Sequence, residues 1–209
     1  MDINTTLGVL NYVPYKKPSF GTCVDFDGLS EYIVSHFSAF MNNDFTIEVW
    51  VKDFGANSVS GDSFIFTMYN TRFSVANNDS LRWTIRSVNG SFTRLNAMYV
   101  SSNINPATWT HMVARHTVST GLVELIINNA LVTSASLLSP HANANDYFAI
   151  GRANVYGTSG SGYYKGKLDD LRIYHRKMTD DEIAYSYNDG LGNLPLNMTA
   201  LYMWLTFES

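Results

Sequence analysis

Residues 45–52 have the sequence FTIEVWVK, in which apolar and polar side chains largely alternate. In an extended strand, Phe45, Ile47, Val49 and Val51 would all point to the same side. Strand-like composition recurs in short stretches at 63–69, 81–88, 98–101, 108–117, 122–127 and 147–151. Glycine and asparagine, which favour turns, stand between some of these stretches. Many short strands of this kind predict an all-β sandwich or barrel.

One short helix is predicted near the C-terminus. Thr179 and Glu182 have the spacing of a capping box, in which each side chain hydrogen-bonds the backbone N–H of the other residue. Ile183 and Tyr187 lie four residues apart and would share one helix face. Gly190 is expected to end the segment in the left-handed conformation.

Length and composition predict one domain, residues 1–209, with a sizeable core. Hydrophobic residues make up 45% of the chain and charged residues 15%. The net charge of −4, with only 14 scattered Lys and Arg residues, argues against nucleic acid as a partner. No stretch approaches the ~20 apolar residues of a spanning helix, so membrane insertion is not expected. Residues 1–20 have no recognisable secretory leader.

Six motifs occur in a fixed order: FDG at 26–28, DFTIEVWVK at 44–52, WTHMV at 109–113, GLVELIINN at 121–129, AIG at 149–151 and GKLDDLRIYHR at 166–176. Together they resemble the laminin-G-like branch of the concanavalin A-like superfamily. The resemblance implies an all-β, two-sheet antiparallel jelly-roll sandwich with one short helix near the C-terminus. It implies much less about function, because this fold hosts sugar binders, protein binders, accessory modules of hydrolases and virion proteins.

The chain departs from the family pattern at its ends. The family normally opens with an aromatic strand before the FDG motif, whereas here the closest match is ALYMWLTF at 200–207. We expect this C-terminal strand to complete a sheet within the same chain, beside a strand near the N-terminus. The alternative is that it pairs with a neighbouring subunit. A sheet that lacked this C-terminal strand would expose an unpaired edge, which proteins usually cover.

A structural calcium site is a further expectation. Alternation through 168–174 places Asp169 on the face of Leu171 and Ile173, the expected core face, and a buried carboxylate needs hydrogen bonds or a metal ion. Relatives in the superfamily often hold Ca²⁺, so the resemblance makes Asp27 and Asp169 candidate metal ligands. The alternative is that Asp169 accepts backbone hydrogen bonds in the FDG turn without a metal.

Ligand contacts are expected from aromatic rings beside planar polar groups, since sugars combine apolar C–H faces with hydroxyl groups. The candidates fall on central strands and around a Gly/Ser-rich loop at 157–162: Tyr69, Arg72, Trp83, Arg86, Tyr99, Tyr156, Tyr163 and Tyr164. Packing on the sheets is the competing interpretation for each of these rings.

Catalysis finds little support in the sequence. None of the five histidines has metal-ligand spacing, and the paired acids of a glycosidase strand are missing around Glu48. We therefore expect a non-catalytic binding module that recognises a glycan or another surface polymer. The alternative is a structural coat or decoration protein of a virion or other surface assembly, with other coat-protein subunits as partners. Either function would place the protein outside a cell or on a surface such as a virion, and either allows a homo-oligomer.

Overall fold

The computed structural model describes residues 11–13, 22–37, 43–55, 61–68, 71–76, 80–87, 90–98, 104–137, 146–153 and 162–207. Fourteen strands and one α-helix are found in these ranges. They are β1 (Asn11–Val13), β2 (Cys23–Asp27), β3 (Ile33–Phe37), β4 (Phe45–Gly55), β5 (Ser63–Met68), β6 (Thr71–Ala76), β7 (Ser80–Arg86), β8 (Phe92–Met98), β9 (Thr110–Thr117), β10 (Leu122–Ile127), β11 (Ala130–Ser136), β12 (Asp146–Ile150), β13 (Lys165–Tyr174), α1 (Asp180–Tyr187) and β14 (Leu201–Leu205).

The strands form two antiparallel sheets. The eight-stranded sheet has the order β1-β2-β13-β4-β9-β10-β11, with β14 also paired to β13. The six-stranded sheet has the order β3-β12-β5-β6-β7-β8. Neighbouring strands are often distant in sequence, as expected for a jelly roll, so the predicted fold class is confirmed.

The core fills the space between the two sheets. Phe45, Ile47, Val49 and Val51 of β4 are completely buried there, as the alternation in residues 45–52 predicts. The ring of Phe45 meets Trp83 of the six-stranded sheet edge to face, with 6.2 Å between centroids. Aromatic contacts of this geometry add to the stabilisation that comes from burying apolar area.

Strand β13 is flanked on one side by two strands in tandem. Its first half pairs with β2, from Lys165 opposite Asp27, and its second half pairs with β14, from Leu171 opposite Leu205. Met203 of β14 is buried in the core. The C-terminal strand therefore pairs within the chain, as predicted, but its partner is β13 and not a strand near the N-terminus.

Helix α1 packs on the outer face of the eight-stranded sheet. Its predicted capping box is present: Thr179 Oγ1 accepts from the N–H of Glu182 at 3.2 Å, and the Glu182 carboxylate accepts from the N–H of Thr179 at 2.8 Å. The α-helix ends at Tyr187, earlier than predicted, with Asn188 at φ 44° as its left-handed cap, a conformation that asparagine also tolerates. Gly190 has positive φ (86°) as predicted, but it ends the 3-10 turn that follows the helix, Asn188–Gly190.

The predicted strand stretches omitted β6 and β11 and misplaced β8. The sequence predicted a strand at 98–101, whereas the observed strand is Phe92–Met98 and residues 99–101 lie outside the described part. The Asn-Gly pair at 89–90 is a strong hairpin signal, and Gly90 has φ 87°. The residues that follow this pair would then be predicted to form the partner strand of β7, which is where β8 lies.

Candidate functional site

The outer face of the six-stranded sheet carries an unusual concentration of arginine. In β6, Phe73 and Val75 point into the core, so Arg72 and Ser74 point outward. In β7, the core residues Leu81, Trp83 and Ile85 leave the outward positions to Arg82, Thr84 and Arg86. In β8, the outward positions belong to Phe92, Arg94 and Asn96.

The strand register aligns these side chains in rows. Arg72 lies opposite Thr84, which in turn lies opposite Arg94, so these three residues form one row across three strands. Arg86 lies opposite Phe92 in the next row. Directly opposite residues have Cβ atoms about 4.5–5.5 Å apart, which is close enough for their side chains to interact.

Three guanidinium groups gather around one exposed ring. The Cζ atoms of Arg72, Arg86 and Arg94 lie 5.8, 5.5 and 5.9 Å from the centre of the Phe92 ring. This ring is 43% exposed. Arg72 also lies 5.8 Å from the ring of Phe64. We call Arg72, Arg86, Phe92 and Arg94 the Phe92 cluster.

The arginines of the Phe92 cluster form no ion pair within the described part of the chain, although the charge of Asp62 acts on Arg72. Neighbouring Arg82 differs, since its Nη1 lies 2.5 Å from Asp62 Oδ2 and its Nε donates to Asn96. No described carboxylate forms an ion pair with Arg72, Arg86 or Arg94. Burial and then the positive charges of Arg86 and Arg94 lower the pKa of the Arg72 guanidinium.

A second ring-and-arginine group lies at the other end of the sheet. The Arg152 guanidinium stacks over the Tyr32 ring with 3.8 Å between Cζ and the centroid. The Tyr163 ring lies 6.4 Å from that of Tyr32. Of the predicted contact residues, Tyr163 thus has a partly exposed ring next to Tyr32, the ring on which Arg152 stacks.

Two of the predicted contact residues are excluded by burial. Trp83 and Tyr164 are both completely buried in the core, so neither can touch a ligand at the surface. Trp83 is one of the inward-facing residues of β7. The ring of Tyr164 contacts that of Phe26 edge to face, with 5.8 Å between the ring centroids. The remaining predicted rings, Tyr69, Tyr99 and Tyr156, lie outside the described residues.

The cluster residues that sequence reasoning missed are Phe92 and Arg94. Both lie on β8, the strand that was misplaced in the sequence, whereas Arg72 and Arg86 of the same cluster were predicted. The alternation of residues 92–97 around buried Leu95 and Ala97 is the signal that would have found them.

The two predicted metal ligands do not form one site. Asp27 is exposed, and its Oδ1 accepts from the backbone N–H groups of Leu29 and Ser30 at 2.7 and 3.1 Å. Desolvation acts to raise the pKa of Asp27, but these hydrogen bonds outweigh it and the pKa is lowered. Asp27 pairs with Lys165, four residues before Asp169, which puts their backbones about 13 Å apart. This exceeds what two carboxylates at Ca²⁺ ligand distances would allow.

Asp169 also faces away from the core, contrary to the prediction. A bulge between Asp169 and Arg172, with Asp170 at φ 51°, shifts the alternation by one residue. Asp169 therefore lies opposite Trp50, on the face that α1 covers. In the described ranges no three His, Cys, Asp or Glu side chains come together to hold a metal ion. The residues predicted from the resemblance thus do not fit a calcium cage.

A buried charge network lies under α1, centred on Glu48. The Oε1 atom of Glu48 accepts from Arg172 Nη1 at 3.0 Å and from the Tyr174 hydroxyl at 3.2 Å. Its Oε2 atom accepts from Ser186 Oγ at 2.8 Å and lies 3.0 Å from His111 Nε2. Burial would raise the pKa of Glu48, but His111 and Arg172 outweigh burial and lower the pKa to about 2.

This network joins the helix to the sheet rather than forming a surface site. Arg172 bridges Glu48 to Asp170, 3.2 Å away, and donates to the carbonyl of Asn193. The Trp50 ring stacks on His111 and on Tyr187 of α1. Glu48, His111 and Arg172 are all essentially inaccessible to solvent, so a glycan could not reach them.

A groove of about 380 Å³ beside α1 is a weaker candidate site. Its charged lining is already paired, because both oxygens of Glu124 accept from Arg115, at 2.8 and 3.0 Å. Asp180 pairs with the same arginine at 2.5 Å. A ligand entering here would have to replace these contacts.

Comparison with known families resolves the identity of the fold. The model of the family described as the concanavalin A-like lectin/glucanases superfamily matches residues 27–184. The chain belongs to this superfamily. The match begins at the FDG turn and ends within α1, so it includes the six-stranded sheet and the central strands of the eight-stranded sheet but not β1, most of β2 or β14.

Several solved structures of other proteins resemble this fold at low sequence identity. The binding domain of Paraclostridial Mosquitocidal Protein 1 is 14% identical with a TM-score of 0.68, covering 90% of this chain and 47% of that chain. The receptor-binding domain of botulinum neurotoxin C/D mosaic serotype is 13% identical with a TM-score of 0.66, covering 90% and 46%. A heptameric SAP-like pentraxin from Limulus polyphemus is 15% identical with a TM-score of 0.59, covering 78% and 80%.

Together with the family match, these likenesses show a concanavalin A-like, lectin-type sandwich fold. The chain spans less than half the length of the two toxin domains. No curated protein matches the sequence. Within the described part of this superfamily member, no helix has the length and apolar character needed to cross a membrane.

Proposed function

We propose that this protein is a non-catalytic binding module that recognises a glycan on an extracellular or other exposed surface. The outer face of the six-stranded sheet is its binding surface. The observation that carries the proposal is the Phe92 cluster, where an exposed ring is surrounded by planar hydrogen-bond donors.

The chemistry of this face suits a saccharide. The exposed Phe92 ring offers an apolar surface for the C–H face of a sugar, and the guanidinium groups offer donors to hydroxyl oxygens. Asn96, in the neighbouring row, adds an amide beside Arg82. Because the same strands bury Trp83 and Phe73 on their other face, the outward side chains are held on a rigid support.

Replacing Phe92 by alanine is expected to weaken glycan binding about tenfold while leaving the fold intact. The ring is 43% exposed, so its loss removes ligand contact and little core packing. A glycan array would identify a ligand, and isothermal titration would then compare wild type with the variant.

Val118→Ala provides the control, since Val118 is an apolar residue with the same 43% exposure as Phe92, in the turn between β9 and β10 of the other sheet. Its affinity should stay within twofold of wild type. Equal affinity of wild type and Phe92→Ala for every glycan that binds would refute the placement of the site on this face.

A coat or decoration protein is the second candidate, and a specific surface favours it. Leu194, Leu196 and Met198 are each more than half exposed within one short segment after α1. Exposed apolar groups clustered in this way are typical of protein contacts. Light scattering of the native protein is expected to give a monomer of 23.4 kDa. A defined oligomer that Leu194→Glu dissociates would support the coat function instead.

A further inference from the structure

The Phe92 cluster concentrates positive charge in a chain whose net charge is −4. Like charges held close together repel, and contact with the Phe92 ring offsets only part of that cost. Arg82, on the same face, has its own carboxylate partner in Asp62, whereas the three cluster arginines have none among the described residues. Binding of an external anion would therefore relieve the repulsion among these three arginines.

We propose that Arg72, Arg86 and Arg94 bind the sulfate or carboxylate groups of an acidic polysaccharide. This inference rests on the proposed glycan-binding function and specifies its ligand class. Arginine suits such groups because its planar fork donates two parallel hydrogen bonds to one oxyanion. Thr84 lies in the row between Arg72 and Arg94 on the same outer face.

The geometry favours a polysaccharide over a nucleic acid. The three guanidinium groups surround one ring and do not extend in a line, whereas a phosphate backbone needs charges spread along its length. A sugar ring that stacks on Phe92 would bring its own acidic substituent within reach of the surrounding arginines.

The test measures binding of Arg94→Gln to three polysaccharides: dextran sulfate, polygalacturonate and neutral dextran. Arg94 is exposed, so the substitution should not affect folding. We expect wild type to prefer at least one acidic polymer over neutral dextran, and Arg94→Gln to lose about tenfold in affinity for that polymer. The two acidic polymers show whether sulfate or carboxylate is the preferred group.

Lys165→Gln is the matched control, because it removes the same charge from an exposed position on β13 of the other sheet. Its affinity should stay within twofold of wild type. Arg94→Lys keeps the charge but loses the planar fork, and it should recover only part of the affinity.

The results separate this inference from the proposed function. Equal losses in Arg94→Gln and Lys165→Gln, or equal binding of duplex DNA and the acidic polymers, would overturn the arginine site. Binding of neutral glycans alone on the array would refute the acidic ligand and keep the proposed function. Failure to bind any glycan would refute both.

Discussion

Glu48→Gln is expected to lower the free energy of unfolding by about 3–5 kcal/mol. The substitution leaves Arg172 buried, with Asp170 at 3.2 Å as its remaining carboxylate partner. It also replaces an acceptor of four polar contacts by an amide, which cannot accept from all four partners. Urea denaturation at neutral pH would measure the change.

Asp181→Asn is the control, since Asp181 is an exposed carboxylate in the first turn of α1. Its loss should cost less than about 1 kcal/mol. The double variant Glu48→Met with Arg172→Met should be more stable than Arg172→Met alone, because that single variant takes the arginine away from two buried carboxylates, Glu48 and Asp170, and the double variant from one. A Glu48→Gln variant as stable as Asp181→Asn would show that the network does not hold α1 to the sheet.

Stability is also expected to fall steeply in acid. The pKa of Glu48 is lowered from an ordinary 4.5 to about 2 in the folded protein. A lowered folded-state pKa means that the ionised group stabilises the fold above pH 4.5, and that this contribution is lost as the pH falls from 4.5 through 2. The contribution of Glu48 alone amounts to roughly 3 kcal/mol.

Comparison with Glu48→Gln isolates this effect from that of other carboxylates. Although burial acts to raise the pKa values of Glu124 and Glu182, their arginine partners lower them, so both groups add to acid sensitivity. The stability difference between wild type and Glu48→Gln, measured by urea denaturation from pH 7 to pH 2, should shrink below pH 4.5. A constant difference across that range would contradict the assignment to Glu48.

Local sequence patterns predicted a strand or helix correctly where a single local rule, such as alternation or capping, determines it. Alternation located β4 and its core face, although the opposite face, with Glu48 and Trp50, is buried as well, and the capping box located the start of α1. The C-terminal strand was found from its aromatic composition, and its pairing within the chain follows from an otherwise exposed edge of β13.

The rule of alternation failed where the backbone departs from it. The left-handed Asp170 and the bulge beside it reverse the faces of β13, and nothing in the residue types of 168–174 signals that shift. A one-residue slip of this kind moves a side chain from one face to the other, which is why Asp169 was assigned to the wrong environment.

The Phe92 cluster was partly predictable. Arg72 and Arg86 were chosen for their residue type, but their relation to Arg94 depends on the pairing of β6, β7 and β8. Pairing across three strands is a non-local property, and a misplaced β8 removed two of its four members. Trp83 was misassigned for a related reason, since aromatic type does not distinguish the two faces of a strand.

The buried ion network and the exposed arginine rows lie on opposite sheets of the sandwich. Substitutions among the outward side chains of β6, β7 and β8 therefore leave the anchoring of α1 untouched, and distant sites of this kind have nearly additive effects. Selection could replace one ligand by another on this surface without first restoring lost stability. The same separation makes the protein a usable scaffold, in which a randomised library at these positions would yield mostly folded variants.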